Sequence, residues 1–200
     1  MTSSAAPVSS RVVMVGGLVW LAGALAVGAT GAFAAMPFPV PQIILFVLTV
    51  MAITVSVSVA GVRVWVDSIS MSRLVRIHAV RFIGAVFLVL AARGALSPVF
   101  AARAGWGDII AAAGAVVLAL SGPPRTSAHW WTYIAWNTFG VLDLVVAVGT
   151  ATIVVFRGDV PGMDPITRLP LVLVPTLFVP LLFAAHVGIY RRLMRSRGAR

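Results

Sequence analysis

The stretch WWTYIAWNTFGVLDLVVAVGTATIVVF, Trp130 to Phe156, decides the fold. At a helical rise of ~1.5 Å per residue it outspans the ~30 Å hydrocarbon core of a bilayer. It carries one charge, Asp143, near its middle. An ionisable group at that depth is costly and marks a functional site. One face of the predicted helix is readable: Trp136, Gly140, Asp143, Ala147 and Thr150 follow helical spacing. Small residues around the acid leave a groove, with Trp136 as its wall.

The rest of the chain agrees with this reading. Of 200 residues, 60% are hydrophobic and 10% charged, against about 45–50% and 25% in soluble domains. The expectation is an all-α fold, a polytopic integral membrane helical bundle of about six transmembrane helices. It forms a single transmembrane domain over residues 1–200, and the length leaves no room for a separate soluble domain. Predicted spans are 12–35, 42–62, 74–96, 105–120, 130–156 and 169–190. Prolines 37, 39 and 41, and later Ser121-Gly122-Pro123-Pro124, break the helices. The segment 63–76 reads as amphipathic and interfacial. The first apolar stretch is long enough to be a retained helix, although Ala32-Phe33-Ala34 imitates a cleavage site.

All 15 basic residues are Arg, and the chain has no Lys, Glu or Cys. Without Cys there is no disulfide, thiolate metal site or thiol catalysis. The net charge of +10 sits at helix ends, which points to topology and anionic headgroups rather than nucleic acid. With six spans, Arg11, Arg63, Arg73, Arg76, Arg125 and the five Arg of residues 191–200 share one side, against Arg93, Arg103, Arg157 and Arg168 on the other. This bias predicts a bacterial inner (cytoplasmic) membrane protein with cytoplasmic termini and a basic cytoplasmic tail, 191–200.

Asp143 has an echo. Gly105, Asp108, Ile109, Ile110, Ala112 and Gly114 match Gly140, Asp143, Leu144, Val145, Ala147 and Gly149 at a constant offset of 35. The match reads either as chance among small apolar residues or as a repeat relating two antiparallel helices. Asp108, at the expected start of the fourth span, reads as a helix N-terminal residue or as a second acid. Arg81, Asn137 and His186 fall at depths from which they can reach Asp143. A structural alternative is that Asp143 only neutralises Arg81. His78 and His186 also fit a bis-histidine haem pair, the weaker reading. No phosphate-binding loop, dinucleotide fingerprint or metalloprotease motif is present, and no cofactor or metal is expected.

Two functional classes, besides an accessory or structural subunit, follow from a midplane acid. One is a small proton- or cation-coupled transporter, for which a homo-oligomer would be needed. The other is an enzyme acting on a membrane lipid or isoprenoid, with Asp143 as general acid. Isolated Asp143 and Asp108 within a nearly all-membrane chain of 200 residues resemble the layout of the small membrane-bound terpene cyclases of meroterpenoid and indole-terpenoid pathways. This chain departs from that family in having no Glu and six rather than seven spans. The resemblance implies that Asp143 and Asp108 protonate an alkene or epoxide. In that enzyme Asn137, Arg81 and His186 orient or reload the acid, and Trp136, Phe139 and Phe82 stabilise the resulting cation.

Overall fold

The computed structural model describes residues 10–198. Among them, six helices are long and apolar enough to cross a bilayer: α1 (Arg11–Ala29), α2 (Val40–Ser58), α3 (Met71–Ala92), α4 (Pro98–Ser121), α5 (Ser127–Arg157) and α6 (Val174–Arg197). No strand occurs among the described residues. The chain is a multi-pass membrane helical bundle. A short helix, Ala60–Ser68, links α2 to α3.

Two spans differ from their sequence expectation in ways that move the site. The fourth begins at Pro98 rather than residue 105. Ser97 caps it, accepting the Phe100 N–H at 3.4 Å, and Pro98 takes the first-turn position, where a missing N–H costs nothing. The helix then widens into a π turn over Ala101–Gly105 before regular winding resumes. Asp108 is therefore in the middle of its span, not at its start. The sixth span begins at Val174 and continues through the basic residues, so Arg191, Arg192, Arg195 and Arg197 belong to a helix rather than to a separate tail.

The basic end of α6 is tied down. Asp67, on the linking helix, accepts from Arg191 at 2.5 Å and from Arg195 at 2.9 Å. Partial burial alone would raise the Asp67 carboxyl, but the hydrogen bonds and charges of the two guanidinium groups outweigh it and lower the group below its usual 3.8. The contact therefore contributes stability above about that pH and loses it as the pH falls through the lowered value.

In the bundle α2 packs on α6, α6 on α5, α5 on α4 and α4 on α3. Helix α1 is peripheral and rests on the start of α6, where the Trp20 indole N–H donates to the Thr176 carbonyl at 2.8 Å. The closest crossing is α3 on α4. A Cβ on Gly84 would stand 2.5 Å from the Gly105 carbonyl oxygen, and a Cβ on Gly105 would stand 2.9 Å from that of Gly84. Only glycine at both positions lets the backbones meet. The helices are antiparallel, so one turn back from Gly84 and one turn on from Gly105 reach the same level. Those residues are Arg81 and Asp108.

Two apolar clusters sit at the two ends of the bundle. One, at the end carrying the termini, includes Met71, Leu74, Trp130, Tyr133, Ile189 and Leu193. The other includes Phe87, Leu96, Phe100, Met163 and Ile166. The polar side chains occupy the layer between them. Replacing Gly105 with Val should force α3 from α4 and cost about 1–3 kcal/mol or more, whereas Gly149→Ala, which meets nothing within 4 Å, should be neutral or stabilising. Thermal unfolding of the purified protein in detergent reads both; equal effects would contradict the crossing.

Candidate functional site

Arg81 is the centre of the polar layer. Its side chain is among the largest that are fully buried. Its Nε–H donates to Asp108 Oδ1 at 2.7 Å, one Nη1–H donates to the Gly140 carbonyl at 3.1 Å, and Nη2 is paired with Asp143 Oδ2. Three helices thus converge on one guanidinium: α3 supplies it, α4 and α5 supply a carboxylate each. Taking these charges out of water costs several kcal/mol per ion, and only close pairing with further hydrogen bonds offsets that. The Gly140 carbonyl supplies one such bond.

Glycines make the meeting possible. Asp143 lies over Gly107, where any Cβ would occupy the position of its carboxylate. A Cβ on Gly140 would stand 2.8 Å from His186 Nε2 and 3.2 Å from Arg81 Nη1. Of the two segments matched at an offset of 35, both acids reach the same arginine. The second glycines do not correspond, since Gly114 underlies the Trp136 indole while Gly149 faces open space.

On the side of Arg81 nearer the termini stands a second polar group. Asn137 donates its Nδ2–H to the His186 carbonyl at 3.1 Å, and its Oδ1 lies 2.7 Å from His186 Nδ1. Because the amide nitrogen is committed to a carbonyl, Oδ1 is the acceptor, and His186 carries its hydrogen on Nδ1. Its Nε2 is left as a lone pair, and among the described residues neither it nor either ring nitrogen of the fully buried His78 has a hydrogen-bond partner. The His78 and His186 rings touch, with centroids 4.1 Å apart. A haem with these two axial ligands would have to stand where the rings meet, so this arrangement does not fit the bis-histidine haem reading. Trp136 packs against both rings and donates its indole N–H to the Ala111 carbonyl at 2.9 Å.

On the opposite side of Arg81 is a half-open cavity, whose non-atom space, its open mouth included, is about 630 Å³. Among the described residues Arg81 and Asp108 are the only polar side chains in its wall; the remainder is apolar, with Phe87, Phe100 and Phe178 as its rings. The structure therefore brings Asp143, Asp108, Arg81, Asn137, His186 and Trp136 into one layer and corrects the expected division among them. Asp108 faces the cavity, whereas Asp143 is placed behind it against Gly107. Trp136 stacks on the histidines and is not a cavity wall. Phe82 and Phe139 point outward, 45% and 39% exposed, because each precedes or follows an inward residue and so is turned by about 100° from it. The cavity aromatics Phe87, Phe100 and Phe178 carry no signal in the sequence. The expected meeting of His78 and His186 is present, as a direct ring contact rather than as a ligand pair.

A family model described as "Domain of unknown function (DUF8737)" matches residues 37–194, more than three quarters of the chain, and the chain belongs to that family. No curated protein and no solved structure matches it.

The charge cluster predicts a specific pattern of stability. Arg81→Leu alone leaves two carboxylates buried without a counterion and should cost about 3–5 kcal/mol. Adding Asp108→Asn and Asp143→Asn removes those charges and should recover most of the loss. Thermal unfolding in detergent compares them; a triple variant no more stable than Arg81→Leu would refute the ion-cluster account.

Proposed function

We propose that the protein binds an apolar membrane lipid or isoprenoid in the cavity and protonates it from the carboxyl of Asp108. The observation that carries this reading is the cavity wall: one acid and one guanidinium in an otherwise hydrocarbon surface. Such a wall suits a greasy chain and gives a solvated ion no polar route, which favours the enzyme over a carrier.

Charge balance supports the acid. Two carboxyls face one guanidinium, so with both ionised the cluster holds one negative charge in excess. In a low dielectric such an excess is removed by binding a proton. When Asp143 forms the ion pair with Arg81, the proton resides on Asp108, at the cavity. The same balance disfavours a phosphorylated substrate, whose negative charges would face two carboxyls, and favours a neutral one.

The reaction class this supports is acid-initiated isomerisation or cyclisation, in line with the terpene-cyclase resemblance. The Asp108 O–H bond breaks as its proton adds to an alkene carbon, consuming the π bond, or to an epoxide oxygen, whose C–O bond opens, leaving a carbocation and a carboxylate. Phe87, Phe100 and Phe178 line the cavity, and their rings are the groups that stabilise the cation. Loss of a proton from the cation back to Asp108 closes the cycle. Substrate and product are isomers, and no redox partner is consumed.

The competing reading is purely structural: Arg81 bridges three helices and would serve as a clamp. The two separate cleanly. Solvent extracts of the purified protein, read by mass spectrometry, should contain a neutral isoprenoid or lipid for the wild type and for Asp108→Asn, but not for Ala151→Trp, which fills the cavity. Incubation with geranylgeraniol or its terminal epoxide should give a product of unchanged mass and new retention time, absent with Asp108→Asn. Neither retained lipid nor isomer would leave the clamp.

The Arg distribution further supports cytoplasmic termini. Reporters fused at Arg200 and inserted in the loop 158–168 should report opposite sides, the first cytoplasmic. A reporter at Arg200 on the outer side would reverse the orientation.

A further inference from the structure

Packed side chains bound the cavity on three sides. At the end away from the termini, Met163 and Ile166 from the loop before α6 pack with Phe87 and Phe100, all buried. At the other end the wall is the Arg81–Asp108 pair, backed by the histidines and the apolar cluster around Leu74 and Tyr133. The flank between α5, α6 and α2 is sealed by Leu144, Val179 and Leu182, against which Leu45 packs. What remains is the seam between α2 and α3. Helix α2 lies along α6 and helix α3 along α4, and the two share no comparable packing with each other. The linking helix Ala60–Ser68 bridges them at the end nearer the termini. On this flank Val80 lines the cavity and is 37% exposed.

We infer that the seam between α2 and α3, with Leu45 and Val80 as its two edges, is a lateral portal through which the hydrocarbon chain of a neutral bilayer lipid passes sideways from the membrane into the cavity. This rests on the cavity being a lipid site, and adds its route. The occupant follows from what is present. The portal edges and walls are aliphatic, so the passing group is hydrocarbon. At the inner end the two carboxyls and the guanidinium are neutral together once one proton is bound, so the group that arrives there is uncharged. A molecule already dissolved in the bilayer then never crosses the aqueous phase, and the loop carrying Met163 and Ile166 stays shut throughout.

The chain contains no Cys, so introduced pairs are the only thiols. Leu45→Cys with Val80→Cys, tethered by bis-maleimides of graded length, closes the seam in the full-length protein in nanodiscs. Ala95→Cys with Gly162→Cys, which flank the Ser97 N–H to Gly162 carbonyl bond and lie outside the cavity wall, tethered likewise, fixes the loop end. Mass spectrometry of the intact chain confirms each tether. The readout is uptake of deuterated geranylgeraniol supplied in donor vesicles. Tethering Leu45 to Val80 should slow uptake by about tenfold or more relative to the same double variant left untethered, and tethering the loop end should change little relative to its own untethered pair. Unaltered uptake across a closed seam, or uptake lost only when the loop end is tethered, overturns the portal while leaving the lipid site intact. No uptake by the unmodified chain overturns the lipid site, and the portal with it.

Discussion

A guanidinium with almost no solvent contact, at the middle of a membrane bundle, is the constraint from which the rest of the arrangement follows. It cannot be left without counterions, so two helices must bring carboxyls to it, and they must come close. Closeness requires glycine where the helices cross: Gly84 on Gly105 for the first carboxyl, Gly107 beneath Asp143 for the second. The guanidinium also needs acceptors for its other N–H groups, and the Gly140 carbonyl is within reach because no side chain stands in the way. Helix positions, glycine positions and charge positions are thus one solution to a single desolvation problem.

The layer around Arg81 is asymmetric. Towards the termini it is closed, with the His186 tautomer fixed by Asn137 and with His186 Nε2 and both His78 nitrogens lacking a partner among the described residues. Away from the termini it opens on a hydrocarbon-lined space. The buried groups carry a fixed charge pattern, and the space beside them is where that pattern acts on something else. An apolar wall strengthens any electrostatic interaction made there, since no water competes.

Much of this was legible in the sequence, and the limits have physical causes. Six spans follow from apolar length, and the inward face of α5 follows from the spacing of Trp136, Gly140, Asp143 and Thr150, all buried. That Arg81 pairs with Asp143 follows from cost alone, because an arginine and an acid at similar depth have few other remedies. Asp108 was harder. From the sequence, α4 starts at residue 105 and Arg103 counts among the charges outside the spans. In the fold Arg103 is inside the helix and reaches Thr150 at 3.4 Å. The Ser97-Pro98 pair was the local signal for the true start. The cavity was not legible, because its walls are ordinary Val, Ala and Phe, and only three-dimensional packing separates Phe87 from Phe82.

The π turn over Ala101–Gly105 has a consequence for how such a chain can diversify. It holds one residue more than regular winding needs. Deleting a residue there restores an ordinary helix with the flanking turns nearly in phase, so the change falls on residues inside the turn, among them Ala104 in the cavity wall. Lengthening or shortening the turn ahead of Gly105 therefore reshapes one wall of the cavity while Gly105, the acid and its arginine keep their places. Selection can tune what fits by insertion and deletion in these few residues, without disturbing the charges that made the fold difficult to build.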